Sequence, residues 1–399
     1  MDVKSCNIAD LTGIGLFPTL QILDCSNNQL TSVNLSQNAF LTTVTIYKNK
    51  LRGTYMDNFI SNLFDRSGQA TKGELRIIYN ENASTGNQMT TEQVAAAKKK
   101  GWTPKQSTNG TTWTDYPGVV LINSTNFPDS KFQAWLKTQT YGQDGVLTPS
   151  EIAGVTSINV QSEAISDLTG INYFTALTKL NCIDNQLTNL NVSGCTALTK
   201  LNCYDNQLTN LDVSGCTALT ELYCRGNQLT NLNVSGCTAL TELDCYDNQL
   251  TNLDVSKNTA LTVLGCYNNQ LHGVAVNKLI NSLPKTTEAG LYFIYNNVET
   301  PDDNEITTAQ VKAAKEKGWT TYYWNNSHYD WLEYEGISIT AGDLNNDSKI
   351  DAADVALLIS YLTNPEAFEG EELALDVNAD GEVNTDDLNA LVSIIIGNE

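Results

Sequence analysis

From Leu177 the sequence repeats itself every 21 residues, with copies opening at Leu177, Leu198, Leu219, Leu240 and Leu261. One copy reads LTKLNCYDNQLTNLDVSGCTA, and two further copies open at Leu20 and Leu41. A unit this short supplies one strand, for example Leu201-Asn202-Cys203, and cannot bury its apolar face alone, so successive copies must stack. Stacked strands run parallel, about 4.8 Å apart. In the quoted copy Leu201, Cys203 and Leu208 are expected to point inward. Asn28, Asn49, Asn185, Asn206, Asn227, Asn248 and Asn269 recur at the bend after the strand. A buried amide there offers donors and an acceptor to the backbone of its own turn and its neighbour's, so these residues read as a structural ladder.

The frame L-x-x-L-x-C-x-x-N-x-L resembles the leucine-rich repeat, with Cys at the third apolar position. The resemblance implies an α/β solenoid of two ladders, with parallel strands and a mostly irregular convex side. Both ladders end alike. LRGTYMDNFISNL from Leu51 matches LHGVAVNKLINSL from Leu271, and LRIIYN from Leu75 matches LYFIYN from Leu291. TTEQVAAAKKKGWT from Thr90 matches TTAQVKAAKEKGWT from Thr307. The last pair reads as an amphipathic helix stopped by Gly101 or Gly318, with its lysines at the C-terminal end. An uncovered end of a parallel solenoid would aggregate, so these segments are expected to be C-terminal α/β caps. Trp102, Trp113, Trp319 and Trp331 are expected in the cores of those caps.

Ahead of the second ladder, FPDSKFQAWLKTQTYGQDGVLTPSEIAGVTSINVQSEAISDLTGI resembles the helical N-terminal cap of bacterial leucine-rich repeat proteins. The first ladder keeps only VKSCNIADLTGI from Val3, so a truncated N-terminus is expected. Within the intact cap, Asp144 and Glu151 fall at positions five and twelve of a calcium-loop outline. Thr140 and Gly142 at positions one and three supply no carboxylate, so the expected structure is a turn capped by Asp144 leading into a helix at Pro149. A calcium ion at Asp144 and Glu151 is not expected.

Of the 10 cysteines, Cys25, Cys182, Cys203, Cys224, Cys245 and Cys266 occupy the third apolar position, where Ile46 stands in another copy. That slot asks for a small apolar filler, a role free Cys performs well. Cys195, Cys216 and Cys237 form a second ladder, replaced elsewhere by Asn38 and Asn258. Stacked side chains point in parallel, which disfavours bridging neighbours. Without C-x-x-C pairs, and with His272 and His328 as the only histidines, zinc is not expected. Reduced core thiols are the expected state, with some disulfides as the alternative.

The C-terminal stretch GDLNNDSKIDAADVALLISYL, from Gly342, turns from acidic to apolar at helical spacing. Its loop positions 1, 3, 5, 9 and 12 are Asp343, Asn345, Asp347, Asp351 and Asp354, with the Lys349 carbonyl at position 7. A second loop repeats them as Asp376, Asn378, Asp380, Asn384 and Asp387, with the Glu382 carbonyl at position 7. Calcium takes six to eight hard oxygens from a flexible loop, and this spacing delivers them. Each loop runs into an apolar helix, over 355–362 and 388–396. The paired units resemble the type I dockerin, for which Asp at position 12 is also fitting. The resemblance implies a small all-α module, two calcium ions and docking onto a cohesin domain of a scaffold protein. Its contact positions 10 and 11 carry over to Ala352, Ala353, Thr385 and Asp386.

A net charge of -22 opposes nucleic-acid binding, which needs Lys and Arg to neutralise phosphates. No apolar run is long enough for a membrane helix. No G-x-S-x-G, H-E-x-x-H or phosphate-binding glycine loop occurs, so no catalysis is expected. What remains is binding. The flanks of the second ladder's strands offer Asn202, Tyr204, Asp205, Glu221, Tyr223, Arg225, Glu242, Asp244, Tyr246, Asp247 and Tyr267 as a concave ligand face. Tyr204, Tyr246 and Tyr267 fall at one position, with Arg225 interrupting them. Such a stripe suits protein or glycan contact, and equally suits cross-strand stacking that only supports the sheet.

The expected organisation is a first ladder and cap (1–118), an N-terminal cap (119–176), a second ladder (177–273), its cap (274–336), a short linker (337–341) and the dockerin-like module (342–399). The expected protein is an extracellular, non-catalytic, monomeric binding subunit held on a cohesin-bearing scaffold in a cellulosome-like, polysaccharide-degrading complex. A leader peptide is not visible and is expected to have been removed. The alternatives are a surface adhesin that binds host or neighbouring-cell proteins, and an accessory enzyme or enzyme inhibitor of polysaccharide breakdown.

Overall fold

The computed structural model describes residues 1–80, 86–296, 302–325, 330–337, 342–344, 349–365, 375, 377–378 and 383–397. The chain divides into two compact units, Met1–Gly154 and Val155–Glu399. The helical segment expected to cap the second ladder is therefore grouped largely with the first unit.

In the first unit, β1 (Ile22–Asp24), β2 (Thr43–Thr45), β3 (Gly73–Tyr79), β4 (Trp102–Ser107) and β5 (Thr114–Asp115) form one sheet in that order. The first four run parallel, and β5 turns back antiparallel to β4. Helices α1 (Thr54–Ser61) and α2 (Thr91–Lys99) belong to its C-terminal end. Beyond them β6 (Val120–Leu121) pairs antiparallel with β7 (Val146–Leu147), near α3 (Ser130–Thr138) and α4 (Pro149–Gly154) in the sequence. Asp144 accepts the Val146 amide, and Glu151 closes a capping box on Thr148, as the capped-turn reading expects.

The second unit holds β8 (Ser157–Asn159), β9 (Lys179–Asn181), β10 (Asn189–Asn191), β11 (Lys200–Asn202), β12 (Asn210–Asp212), β13 (Glu221–Tyr223), β14 (Glu242–Asp244), β15 (Val263–Gly265), β16 (Ala289–Asn296), β17 (Trp319–Asn325) and β18 (Asp330–Glu333). Nine of these make one sheet, parallel except for β18, which returns antiparallel on β17. Helices α5 (Val274–Ser282) and α6 (Thr308–Glu316) repeat the places of α1 and α2. Leu180, Leu201, Leu222, Leu243, Leu264 and Leu291 lie in register across six strands, and all are buried. The strands sit one residue earlier than the repeat frame suggests, so Cys203 follows β11 instead of closing it. The convex side is less irregular than expected, because β10 pairs with β12 and a bridge from Asp212 to Asn233 extends that pairing.

The asparagine ladder behaves as its donor and acceptor count requires. Asn227 Nδ2 donates to the carbonyls of Cys203, Cys224 and Arg225, and its Oδ1 accepts the Leu208 amide. Asn206 and Asn248 make the same bonds while only partly buried. The residue just before each ladder asparagine is left-handed, at Asn27, Lys48, Asp184, Asp205, Gly226, Asp247 and Asn268. Asn, Asp and Gly tolerate that region best, which accounts for the composition of this position.

The second cysteine ladder has a cause that composition conceals. Cys216 Sγ donates to the Val192 carbonyl and Cys237 Sγ to Val213, each in the preceding repeat. Where Asn replaces Cys, Asn38 Nδ2 donates to Ile14 and Phe17 and Asn258 Nδ2 to Val234 and Cys237. The slot needs a buried donor, and Asn supplies one while leaving its own Oδ1 without a partner. The cysteines of both ladders are free and buried, while Cys6 is free and exposed. Burial pushes the thiols of Cys25, Cys182 and Cys216 up to about 12. Native alkylation near neutral pH is therefore expected to label Cys6 alone, with the rest reacting only after denaturation, as mass spectrometry would count. Because the folded thiols titrate later than the unfolded value of 9.0, stability is expected to fall as pH rises from there toward about 12.

The two C-terminal ends are copies in detail. Trp102 Nε1 donates to the Phe64 carbonyl and Trp319 Nε1 to Pro284, each at 2.8 Å. Lys100 Nζ caps the end of α1 through the Ser61 and Leu63 carbonyls, as Lys317 caps α5 through Asn281 and Leu283. Trp102 and Trp319 are buried, as expected for cap core. Trp113 and Trp331 are only half-buried. They lie against tyrosines of the sheet face, because β18 and the segment around β5 fold back over the strand edge.

Candidate binding face and calcium-loop module

Side chains flanking the buried leucines project from the sheet in columns. Lys200, Glu221, Glu242, Val263 and Gly290 share one column, and Asn202, Tyr223, Asp244, Gly265 and Tyr292 the next. Tyr204, Arg225, Tyr246 and Tyr267 follow the strands as a third. All the expected face residues are half-buried except Asp205 and Asp247, which are exposed.

Arg225 does not interrupt the tyrosine stripe but belongs to it. Its guanidinium lies 4.0 Å from the Tyr204 ring centroid and 5.3 Å from that of Tyr246, and 3.9 Å from Asp205. A planar cation between two ring faces continues the stack, because those faces are negative. Tyr246 and Tyr267 then stack at 4.1 Å, and Tyr267 meets Tyr295 at 5.3 Å and Trp331 at 5.1 Å. The stack occupies the ring faces of Tyr246, Tyr267 and Tyr295. Lys200 is ion-paired with Glu221, which also accepts the Tyr223 hydroxyl at 3.0 Å. That partner lowers Glu221, whereas burial raises Tyr223. Burial likewise raises Asp244 to about 6, with Glu242 adding to the rise and Arg225 opposing it. The aromatic extension through Tyr292, Tyr295 and Trp331 was not in the expected face. Its signal is the Tyr-rich LYFIYN segment, but Tyr292 and Tyr295 are three residues apart and share the face only because a bulge between Tyr292 and Ile294 breaks the alternation.

In the C-terminal module, α7 (Ala352–Thr363) and α8 (Thr385–Gly397) pack around Leu344, Leu358, Leu375, Val377 and Leu391. Both helices begin earlier than their apolar runs suggest, because Asp351 caps α7 by accepting the Ala353 amide. Asp354 is fully buried and accepts the amides of Leu344 and Asp351 at 2.7 and 2.8 Å. Asp387, also fully buried, accepts those of Asn378 and Asn384. Desolvation raises Asp387, and the amides of Asn384, Asn378 and Val377 more than offset it, leaving the carboxyl below its ordinary range. Of the expected ligands, Asn345, Asp347, Asp376, Asp380 and Glu382 lie outside the described residues. Among the described residues no group of three or more His, Cys, Asp or Glu side chains is arranged to hold a metal ion. The ligands that are described fit a hard cation, since Asp343, Asp354 and Asp387 place carboxylates out of water beside an apolar core. Ala352, Ala353, Thr385 and Asp386 stand exposed at the first turns of the two helices, at matching positions. Among the described residues no helix is long and apolar enough to cross a membrane.

A parallel repeat solenoid followed by a paired loop-helix module defines the class. Residues 341–395 match the type I dockerin domain, and residues 127–269 match the leucine-rich repeat domain of the endo-beta-N-acetylglucosaminidase EndoS. The chain thus carries leucine-rich repeats and a C-terminal type I dockerin domain. Both are non-catalytic families, and dockerin domains bind calcium. None of the curated proteins compared matches the chain. Among solved structures it is similar to the functional domain of InlJ from Listeria monocytogenes, which includes a cysteine ladder, at 23% identity and a TM-score of 0.27. That alignment covers 73% of this chain and 49% of the other, so this chain spans about half of that domain's length. Internalin C2 from Listeria monocytogenes follows at 22% identity and a TM-score of 0.35, covering 51% of this chain and 97% of its own. The Leptospira interrogans leucine-rich repeat protein LIC12759 has 19% identity and a TM-score of 0.33, covering 77% of this chain and 73% of its own.

Proposed function

We propose that this protein is an extracellular, non-catalytic binding subunit. Its dockerin domain, folded around two calcium ions, attaches it to a cohesin-bearing scaffold, and its repeat ladders recognise a protein ligand. A cellulosome-like, polysaccharide-degrading complex is the setting this combination suits. The dockerin match over 341–395 is the observation that carries the reading. In this reading the N-terminal cap (119–176) and the second ladder (177–273) keep the bounds expected from the sequence, and the family match from 127 to 269 overlaps both.

The exposed pairs Ala352–Ala353 and Thr385–Asp386 are the proposed start of the cohesin contact. Two helical turns on, Ile359 and Val392 are exposed at equivalent places in the two halves. Exposed apolar groups at a helix spacing of seven share a face with the first-turn pairs, which suits a helix-borne docking surface. Capture on a panel of immobilised cohesins tests the attachment. The full chain is expected to be retained by one of them in calcium, and to be released by EDTA or by deletion of residues 342–399. Retention that survives either treatment would assign attachment to the ladders and favour an adhesin. No retention by any cohesin would reject the scaffold role.

A further inference from the structure

The two copies close their last repeat differently. Within each ladder the amide of the left-handed residue donates to the next repeat, as Asn27 does to the Tyr47 carbonyl at 2.9 Å and Asp247 to that of Tyr267 at 3.2 Å. The last repeat of each ladder meets the cap instead. In the second copy a carboxylate stands in for the missing carbonyl: Asp302 Oδ2 accepts the Asn268 amide at 2.9 Å and the Tyr295 amide at 2.8 Å. The corresponding amides of the first copy belong to Lys48 and Tyr79. Lys48 is left-handed like Asn268, and β3 carries the bulge of β16 at the same place, between Arg76 and Ile78. The sequence has Thr85 where the second copy has Asp302, so that position brings no carboxylate. Among the described residues no acceptor meets the Lys48 amide. Lys48 and Tyr79 instead line a recess of about 440 Å³, together with Asn27, Lys50, Asn80 and Asn87.

The recess has charge of one sign. No acidic side chain lines it, and Lys48 and Lys50 are both exposed. The ion pairs of this unit among the described residues use Lys4, Arg76 and Lys105, and none uses Lys48 or Lys50. Lys48 Nζ rests 4.2 Å from the Tyr79 ring centroid, which positions the ammonium without neutralising it. The second copy, which has its own carboxylate, carries neutral Asn268 and Gln270 at these two places. Nor does the charge of the chain oppose an anion here. Residues 1–154 hold 13 Lys and Arg against 12 Asp and Glu, whereas 155–399 hold 10 against 33. Backbone amides and ammonium groups together hold a carboxylate through charge-assisted hydrogen bonds, which are stronger than neutral ones.

We propose that this recess seats the carboxylate of an Asp or Glu side chain of the partner protein, held by the Lys48 and Tyr79 amides and the ammonium groups of Lys48 and Lys50. This rests on the reading of the ladders as protein-binding surfaces. A protein side chain is favoured because the occupant in the second copy is itself an aspartate.

The test uses the full chain in calcium, titrated with acetyl-Ser-Gly-Asp-Gly-Ser-amide, its Asn counterpart and trigalacturonate, and followed by amide correlation spectra. The Asp peptide is expected to shift the Lys48 and Tyr79 amides, and the Asn peptide to leave them in place. Lys48→Asn with Lys50→Gln installs the second copy's residues and is expected to weaken the Asp peptide about tenfold or more. The thermal transition is expected to stay unchanged, since Asn tolerates the left-handed φ of 53° at that position. Lys131→Gln with Lys137→Gln removes the same charge from exposed sites on α3 and is expected to change affinity by less than about twofold. Equal losses in the two variants would overturn the seat. Binding confined to Glu81→Gln would also overturn it, by giving the recess to an acid of the chain itself. Tighter binding of trigalacturonate at the same amides would overturn the protein partner in favour of an acidic glycan. Equal shifts from both peptides at these amides would overturn carboxylate recognition and leave the ladder a peptide-binding surface. No shift at these amides from any of the three overturns the seat; shifts confined to the second ladder's face would then keep the ladder reading, and shifts nowhere would count against both.

Discussion

EDTA is expected to unfold the C-terminal module while both repeat ladders stay folded. The module's described core is only five buried apolar side chains, Leu344, Leu358, Leu375, Val377 and Leu391. A core that small does not usually outweigh the entropy of ordering two helices and their loops. Against it stand Asp343, Asp354 and Asp387, carboxylates buried at the loop ends. Bound calcium compensates their charge, so its binding energy becomes folding energy. At free calcium between about 100 and 1,000 times Kd that supplies roughly 3–4 kcal/mol. Hydrogen exchange should show the amides of α7 and α8 losing protection in EDTA, with the Leu201, Leu222 and Leu243 strands unchanged. Asp387→Ala removes the acceptor for the Asn378 and Asn384 amides and should release α8 even in calcium. Protection of α7 and α8 that survives EDTA would reject calcium-dependent folding.

The second large effect is expected at Asn227, in the middle of the second ladder. Truncation to Ala strands the Leu208 amide and the carbonyls of Cys203, Cys224 and Arg225, all now bonded between 2.9 and 3.1 Å. Each stranded buried group costs about 1–3 kcal/mol, and partial access of water reduces the sum to roughly 3–5 kcal/mol. Cys224→Ala, which deletes one buried sulfur in the same repeat, should cost only about 1–2 kcal/mol. Stability in a solenoid is a sum of repeats and their interfaces, so losing a central interface should also broaden the urea transition. A loss at Asn227 no larger than at Cys224 would show that packing, not the amide ladder, holds the repeats together.

Much of the fold was legible because its determinants are local. The repeat period, the two cap helices stopped by Gly101 and Gly318, and the paired Asp spacing of the C-terminal domain each lie within a few tens of residues. The second cysteine ladder was visible in the sequence, but its cause was not. Its requirement is a donor aimed at a carbonyl 24 residues earlier, which no composition rule reveals. The strand positions were off by one, because the pattern of leucines marks the buried centre of a strand and not its ends.

The sequence alone determined that this chain carries stacked leucine-rich repeats and a C-terminal dockerin domain, since the repeat period and the paired Asp spacing are properties of consecutive residues. Only the tertiary structure decided which side chains of different repeats meet. Arg225 lies between Tyr204 and Tyr246, and Asp244 leans on Gly265. Trp331 reaches Tyr267 because β18 doubles back on β17. Stacking repeats at the roughly 4.8 Å spacing of parallel strands turns positions 21 residues apart in the chain into neighbours, and the candidate face is made of those neighbours.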